Sequence, residues 1–249
     1  MLVDTHCHIH DSDYPLAIGE ILVRAVDAGV VKYICVGTDQ ISSVEAVTFA
    51  AEHASMYAAI GVHPHETKDG YAGIAQLAGT SEKIVAVGEI GLDYFYTHSP
   101  REVQMQGLRA QIEIAREHDL PVIFHVREAF DDFWPIFDAF AGIRGELHSF
   151  TDSKENLDKA LARGLYIGVN GISTFTKDEA QKAVYDSIPL DRLLLETDAP
   201  FLTPAPFRGK VNEPAFVRNI AEYHANRRGI SLDDISSATT ANAHSLFAI

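Results

Sequence analysis

The chain has 249 residues, of which 47% are hydrophobic and 22% charged, and a formal net charge of −15. A chain this long buries roughly 70–75% of its unfolded surface, so it needs no disulfide or metal staple to fold. The acid excess argues against a broad basic surface for duplex DNA, where phosphate neutralisation supplies most nonspecific affinity; an anionic substrate must be drawn in locally, by metal ions and a few arginines.

The two cysteines, Cys7 and Cys35, fall inside strand-like runs, which suits reduced thiols better than a disulfide framework. No basic region followed by an apolar run marks a signal peptide, and no apolar run approaches the ~20 residues of a membrane span. A cytoplasmic protein without a membrane partner, monomeric or weakly oligomeric, is the expectation.

In chain order, short β-branched runs alternate with amphipathic stretches of helical period. Strands are predicted at 2–6, 32–36, 57–62, 84–89, 122–125, 146–148, 165–169 and 192–196. Helices are predicted at 16–28, 42–53, 73–77, 101–118, 128–140, 154–163, 178–187 and 213–228, and a last one at 232–247 closes the chain. Alternation of this kind implies a parallel sheet with right-handed crossovers, and eight units closed into a ring make an α/β fold of the (β/α)8 TIM-barrel type. No Gly-rich dinucleotide loop follows the first strand, which weighs against an open doubly wound sheet. No linker or composition break divides the chain, so one domain over 1–249 is expected. The proline-rich loop 203–214 suggests a lid or binding loop.

The polar residues fall at one end of these strands. Successive side chains on a strand point to opposite faces, so His6 and His8 share a face and Cys7 points away into the packing. His63 and His65 follow strand three, Glu89 ends strand four, His125 ends strand five, His148 ends strand six, Asn170 follows strand seven and Asp198 ends strand eight. In a TIM barrel these ends open on one face. Singly, Glu89 reads equally as a solvated acid, Asp198 as a turn former, and His125 or His148 as a core histidine. Together, four imidazoles and two carboxylates are too costly to bury as packing, and they read as metal ligands.

The set suits two ions. His6, His8 and Asp198 hold one, His125 and His148 the other, and Glu89 bridges. Two ions ~3.5–4 Å apart clamp the attacking and leaving oxygens of a displacement at phosphorus and lower the pKa of a water, with Asp198 as its general base. Arg127, Arg208 and Lys210 offer contacts to phosphate, with an outer salt bridge the rival reading for Arg127. His63 contacts a phosphate oxygen or protonates the leaving group, and His65 supports from behind. His10, His53, His98, His118, His224 and His244 read as surface or packing residues. Imidazole donors favour zinc, manganese or iron, whereas Mg²⁺ prefers oxygen.

The motifs Asp4-Thr5-His6-Cys7-His8, Gly61-Val62-His63-Pro64-His65, Gly88-Glu89-Ile90-Gly91-Leu92-Asp93-Tyr94, His125-Val126-Arg127, Leu147-His148-Ser149-Phe150, Glu196-Thr197-Asp198-Ala199-Pro200, and Arg208-Gly209 with Asn212-Glu213-Pro214 run in one order from end to end. In this the chain resembles the TatD family of metal-dependent deoxyribonucleases, within the amidohydrolase-like TIM barrels. The resemblance implies a 3′→5′ exonuclease supported by Mg²⁺ or Mn²⁺, acting on single-stranded DNA, with RNA and abasic sites as further substrates. It implies His6, His8, Glu89, His125, His148 and Asp198 as ligands. Glu146, His10 and Asp152 depart from the family pattern, and Glu146 shares strand parity with His148. The alternative is a related hydrolase of amides, lactones or small phosphate esters. Such enzymes often bridge their metals with a carbamylated lysine, where strand four here supplies Glu89.

Overall fold

The computed structural model describes residues 1–96 and 98–249. Its strands are β1 (Leu2–Cys7), β2 (Val30–Val36), β3 (Met56–Ile60), β4 (Ile84–Asp93), β5 (Val122–Arg127), β6 (Gly145–Leu147), β7 (Tyr166–Val169) and β8 (Leu193–Leu195). Its helices are α1 (Ile18–Asp27), α2 (Gln40–Glu52), α3 (Ala72–Leu77), α4 (Arg101–Glu117), α5 (Phe130–Phe137), α6 (Lys154–Ala162), α7 (Ile172–Phe175), α8 (Glu179–Asp186), α9 (Val217–Arg228) and α10 (Leu232–Phe247). The strands form one sheet in the order β1 to β8. The β1–β2, β3–β4, β4–β5, β5–β6 and β7–β8 pairings are parallel, and a parallel bridge joins Cys7 to Ala199. This is the order of the (β/α)8 TIM barrel that the alternation predicts. No helix among the described residues is long and apolar enough to cross a membrane.

Two compact units make up the chain: Met1–Cys35 with Ser149–Ile249, and Val36–His148. In the first, β1 is buried at every position, as expected of a strand covered on both faces. Ser231 and Asp234 form a capping box that starts α10. From α10, the Asn242 amide donates to the carbonyls of Leu190 and Leu193 at 2.9 and 2.8 Å, fixing the entry to β8. Cys7 and Cys35 are free and buried, and the Cys7 thiol donates to the Ile34 carbonyl. The 203–214 loop is tied to itself: the Thr203 hydroxyl donates to the Lys210 carbonyl and Arg208 donates to the Thr203 carbonyl.

In the second unit, Phe124 of β5 packs edge-on against Phe133 and Phe137 of α5, with centroids 5.1 and 5.7 Å apart. Two buried glutamines of α4 clamp the ends of β3 and β4. Gln111 accepts from the Val62 amide and donates to its carbonyl (2.7 and 3.1 Å), and Gln104 does the same for Asp93 (2.8 and 3.0 Å).

Some element ends differ from those predicted. β4 runs on past Glu89 to Asp93 and β5 past His125 to Arg127, because the two strands stay in register from Ile90↔Phe124 through Asp93↔Arg127. Gly91 permits that pairing: a Cβ there would lie 1.7 Å from the His125 carbonyl oxygen. β8 ends at Leu195, and Asp198 follows it in the left-handed region at φ 58, which Asp tolerates better than most residues. The α9 stretch begins with a 3₁₀ turn at Pro214–Phe216, and α7 has no counterpart among the predicted helices.

Candidate metal centre

The first unit carries one donor cluster. Strand parity and the turn after β1 bring His6 Nε2 and His8 Nε2 to 3.2 Å of each other. Asp198 Oδ1 lies 3.7 Å from the first nitrogen and 3.3 Å from the second. The loop carrying Asp198 is stitched to β1. The Asp198 amide donates to the His6 carbonyl at 2.8 Å, and the His8 amide to the Ala199 carbonyl at 2.7 Å. Beneath, Asp4 accepts from the Thr197 amide at 2.8 Å and the Thr197 hydroxyl at 2.6 Å. Burial raises the Asp4 pKa to about 8 despite these hydrogen bonds.

The second unit carries another cluster, centred on Glu89. Its Oε1 lies 2.7 Å from His125 Nδ1, 3.6 Å from His63 Nε2 and 3.6 Å from His148 Nε2. His125 is held from behind: its Nε2 lies 3.1 Å from Asp93 Oδ2, which also meets His65 Nε2 at 3.0 Å. Asp93 Oδ1 accepts the backbone amides of Phe95 and Tyr96 at 2.9 and 3.0 Å. Burial acts to lower the His125 pKa, but hydrogen bonds to Asp93 and Glu89 outweigh it and raise it to about 9. The same contacts, with the Tyr96 amide, carry the Asp93 carboxyl below the usual range against the upward pull of burial. Burial and the neighbouring His125 push His63 down to about 3.

The structure therefore brings His6, His8 and Asp198 together, and Glu89, His125 and His148 together. It also places His63 beside Glu89 and His125 as a potential donor, a position beyond the phosphate role its motif suggests. Within His6–His8–Asp198, and within His63–Glu89–His125, one ligand atom per residue lies within 4.8 Å of the others. Imidazole and carboxylate in these combinations match the donors that zinc, manganese and iron take. The residues fit divalent cations.

Arg127 is exposed, with its guanidinium carbon 3.9 Å from the Phe95 ring centroid and 5.1 Å from that of Tyr96. Arg208 covers Phe175 at 3.8 Å and donates to the Thr203 carbonyl at 2.8 Å. Lys210 lies 5.2 Å from the Phe207 ring. Glu146 is fully buried. Asp152 accepts from the Ser153 amide and the Asn156 side chain. Asp93 is the residue that pattern reading passes over. Its signal is parity: Glu89, Gly91 and Asp93 alternate onto one face once the strand runs past Glu89.

Imidazole–carboxylate clusters at the strand ends of a (β/α)8 sheet define a metal-dependent hydrolase. A family model described as TatD related DNase matches residues 3–248. The chain is 39% identical to YabD of Bacillus subtilis, named an uncharacterized metal-dependent hydrolase, over 100% of both chains. It is 35% identical to the 3′-5′ ssDNA/RNA exonuclease TatD of Erwinia amylovora, over 92% of this chain and 93% of that one. The solved structure of the TatD homologue YJJV from Escherichia coli matches with a TM-score of 0.91 at 32% identity, covering 100% of this chain and 98% of the other. The chain belongs to the TatD family of metal-dependent hydrolases.

Proposed function

We propose that this hydrolase is a divalent-metal-dependent phosphodiesterase that removes nucleotides from the 3′ end of single-stranded DNA, with RNA as a second substrate. His6, His8 and Asp198 would hold one cation, and His125 and His148, with Glu89, would hold the other. The observation that carries the reading is the donor geometry: the ligand atoms of His6, His8 and Asp198 lie within 4.8 Å of one another, and Glu89 Oε1 lies 2.7 Å from His125 Nδ1 and 3.6 Å from His148 Nε2. Both groups sit at the C-terminal ends of parallel strands, the face on which barrel active sites form. The name of the Erwinia relative supports the substrate class, and the span of the family model supports one domain over 1–249.

Divalent cations bound here supply a lowered water pKa and a clamp on the attacking and leaving oxygens at phosphorus. Asp198 takes the proton of the attacking water as general base. His63 Nδ1 accepts from the His65 amide at 3.2 Å, so Nε2 carries the proton. With its pKa held low, His63 is a neutral donor to a phosphate oxygen rather than the acid for the leaving group. Arg127 and Arg208 add charge for the phosphate. The β4 segment, Ile84–Asp93, contains no lysine to carbamylate, which counts against the amide and lactone branch.

The test is digestion of end-labelled single-stranded and duplex oligonucleotides across a series of Mg²⁺, Mn²⁺ and Zn²⁺, with chelated protein as control. A metal-dependent ladder shortening from the 3′ end of the single strand is expected. Turnover of a lactone or cyclic amide with none of DNA would transfer the protein to the other branch.

A further inference from the structure

Beyond the cluster at Glu89, β4 leads into a loop with an unusual surface. Phe95 and Tyr96 are 50% and 43% exposed, among the few large apolar side chains so open to solvent. Their rings meet edge-on at 4.7 Å. Arg127 lies over the Phe95 ring at 3.9 Å. The Tyr96 ring stacks on His98 at 5.7 Å, with 27° between the planes, and meets His65 edge-on.

A solvated aromatic pair has no packing reason to stay exposed, and a guanidinium stacked on it keeps its charge. The combination of a π-face and a guanidinium is what an unpaired nucleotide requires: a surface for the base and a cation for its phosphate. In a chain of net charge −15, a cation fixed at this spot selects an anionic ligand.

The position of the shelf is set by the metal-site scaffold. One carboxylate, Asp93, holds the backbone amides of Phe95 and Tyr96 with Oδ1 and the rings of His65 and His125 with Oδ2. Tyr94 is anchored as well, its amide donating to the Arg127 carbonyl at 2.9 Å. The aromatic shelf and the Glu89 cluster are therefore joined through a single side chain.

We propose that Phe95, Tyr96 and Arg127 form a stacking subsite for an unpaired base of the strand whose end is hydrolysed. This rests on the phosphodiesterase reading above for the identity of the strand. A base inside a duplex hides both faces in its own stack, so the subsite favours single strands without reading sequence.

The experiment measures binding apart from turnover. A single-stranded oligonucleotide with cleavage-resistant phosphorothioate linkages carries 2-aminopurine, whose fluorescence drops on stacking. It is titrated with the protein as isolated, and a matched strand with abasic residues near the 3′ end serves as competitor. Quenching is expected, with the base-bearing strand bound about tenfold tighter than the abasic one. In the Phe95→Ala/Tyr96→Ala variant that preference falls towards unity, and Tyr96→Trp restores it. Phe95→Leu/Tyr96→Leu keeps the bulk, loses both π-faces and behaves like the double alanine variant, which separates stacking from local collapse.

If the variant keeps the preference, or if wild type binds both strands equally, the subsite is overturned. If wild type binds and quenches the strand yet cleaves no oligonucleotide with any metal, the exonuclease reading fails while the subsite stands. A shelf that binds no strand but captures a protein partner also overturns the proposal.

Discussion

Asp93→Asn is the substitution that asks most of this structure, because it changes one atom and leaves the shape. Asp93 Oδ1 accepts two backbone amides, and Oδ2 accepts from His65 Nε2 at 3.0 Å and His125 Nε2 at 3.1 Å. Asparagine keeps the first role but presents NH₂ where Oδ2 stood. The flipped amide fares no better, since its NH₂ then faces two backbone N–H groups. A donor opposite Nε2 forces His125 to accept there and to carry its proton on Nδ1, the nitrogen 2.7 Å from Glu89 Oε1. A protonated Nδ1 has no lone pair for a cation. Losing the group that orients a metal-bound histidine costs about 10–100-fold in affinity or activity, or about 1.4–2.7 kcal/mol. Asp93 is 1% exposed, so solvent does not soften the effect. The assay is calorimetric titration of Mn²⁺ into chelator-stripped protein, with thermal unfolding of the same samples to show that the variant is folded. A folded Asp93→Asn protein that binds Mn²⁺ with the wild-type stoichiometry and affinity refutes the argument that Asp93 sets the proton of His125.

Glu89→Ala and Asp198→Ala should each abolish cleavage of a labelled single strand while circular dichroism stays native; full activity of either under saturating metal removes its assigned role. Gly91→Ala should destabilise the fold by at least ~2 kcal/mol in chemical denaturation, because the added Cβ meets the His125 carbonyl oxygen of a paired strand at 1.7 Å; a neutral effect would mean that β4 and β5 part easily. His224 is fully buried, its Nε2 lies 2.9 Å from Ser173 Oγ, and burial holds its pKa down to about 3. The unfolded chain takes up a proton near pH 6.5 that the fold refuses, so this residue makes stability fall as pH falls from about 6.5 towards 3. Relative to wild type, His224→Gln should recover about 2 kcal/mol between pH 7 and 5 in urea unfolding; parallel pH slopes for the two proteins would contradict the buried neutral imidazole.

Periodic features of the sequence carried the fold. Alternating runs of period 2 and 3.6 give the eight strands and their crossovers, and the pairing of His6 with His8 at the end of β1 follows from strand parity carried into the turn after it. Features that depend on single long-range hydrogen bonds left no such trace. Gln104 and Gln111 look like polar positions on the solvent face of α4, yet they are buried and hold the backbone at Asp93 and Val62. Asp93 lies four residues beyond Glu89, where the sequence reading ends the strand; only the register with β5 shows that the strand continues. The helix α7 is four residues long, too short for a periodic signal. The charge of Arg127 points to phosphate, but the ring that positions it belongs to a loop residue, Phe95, whose contact with β5 no local pattern encodes.

The charge of the chain and the chemistry of its site pull in opposite directions, and the arrangement around Asp93 reconciles them. A surface of net charge −15 repels a polyanion at long range, so nonspecific capture of a strand through many phosphate contacts is not open to this protein. What is left is short-range: the cations that the buried imidazoles and carboxylates would hold, a guanidinium fixed on an aromatic ring, and a π-face that would attract a base regardless of charge. Stacking is insensitive to the acid excess, and duplex DNA cannot use it, because its bases are already stacked. On the proposed reading, a strand end with at least one unpaired base would meet both the shelf and the Glu89 cluster, and the acidity of the surface would add to a preference for single strands.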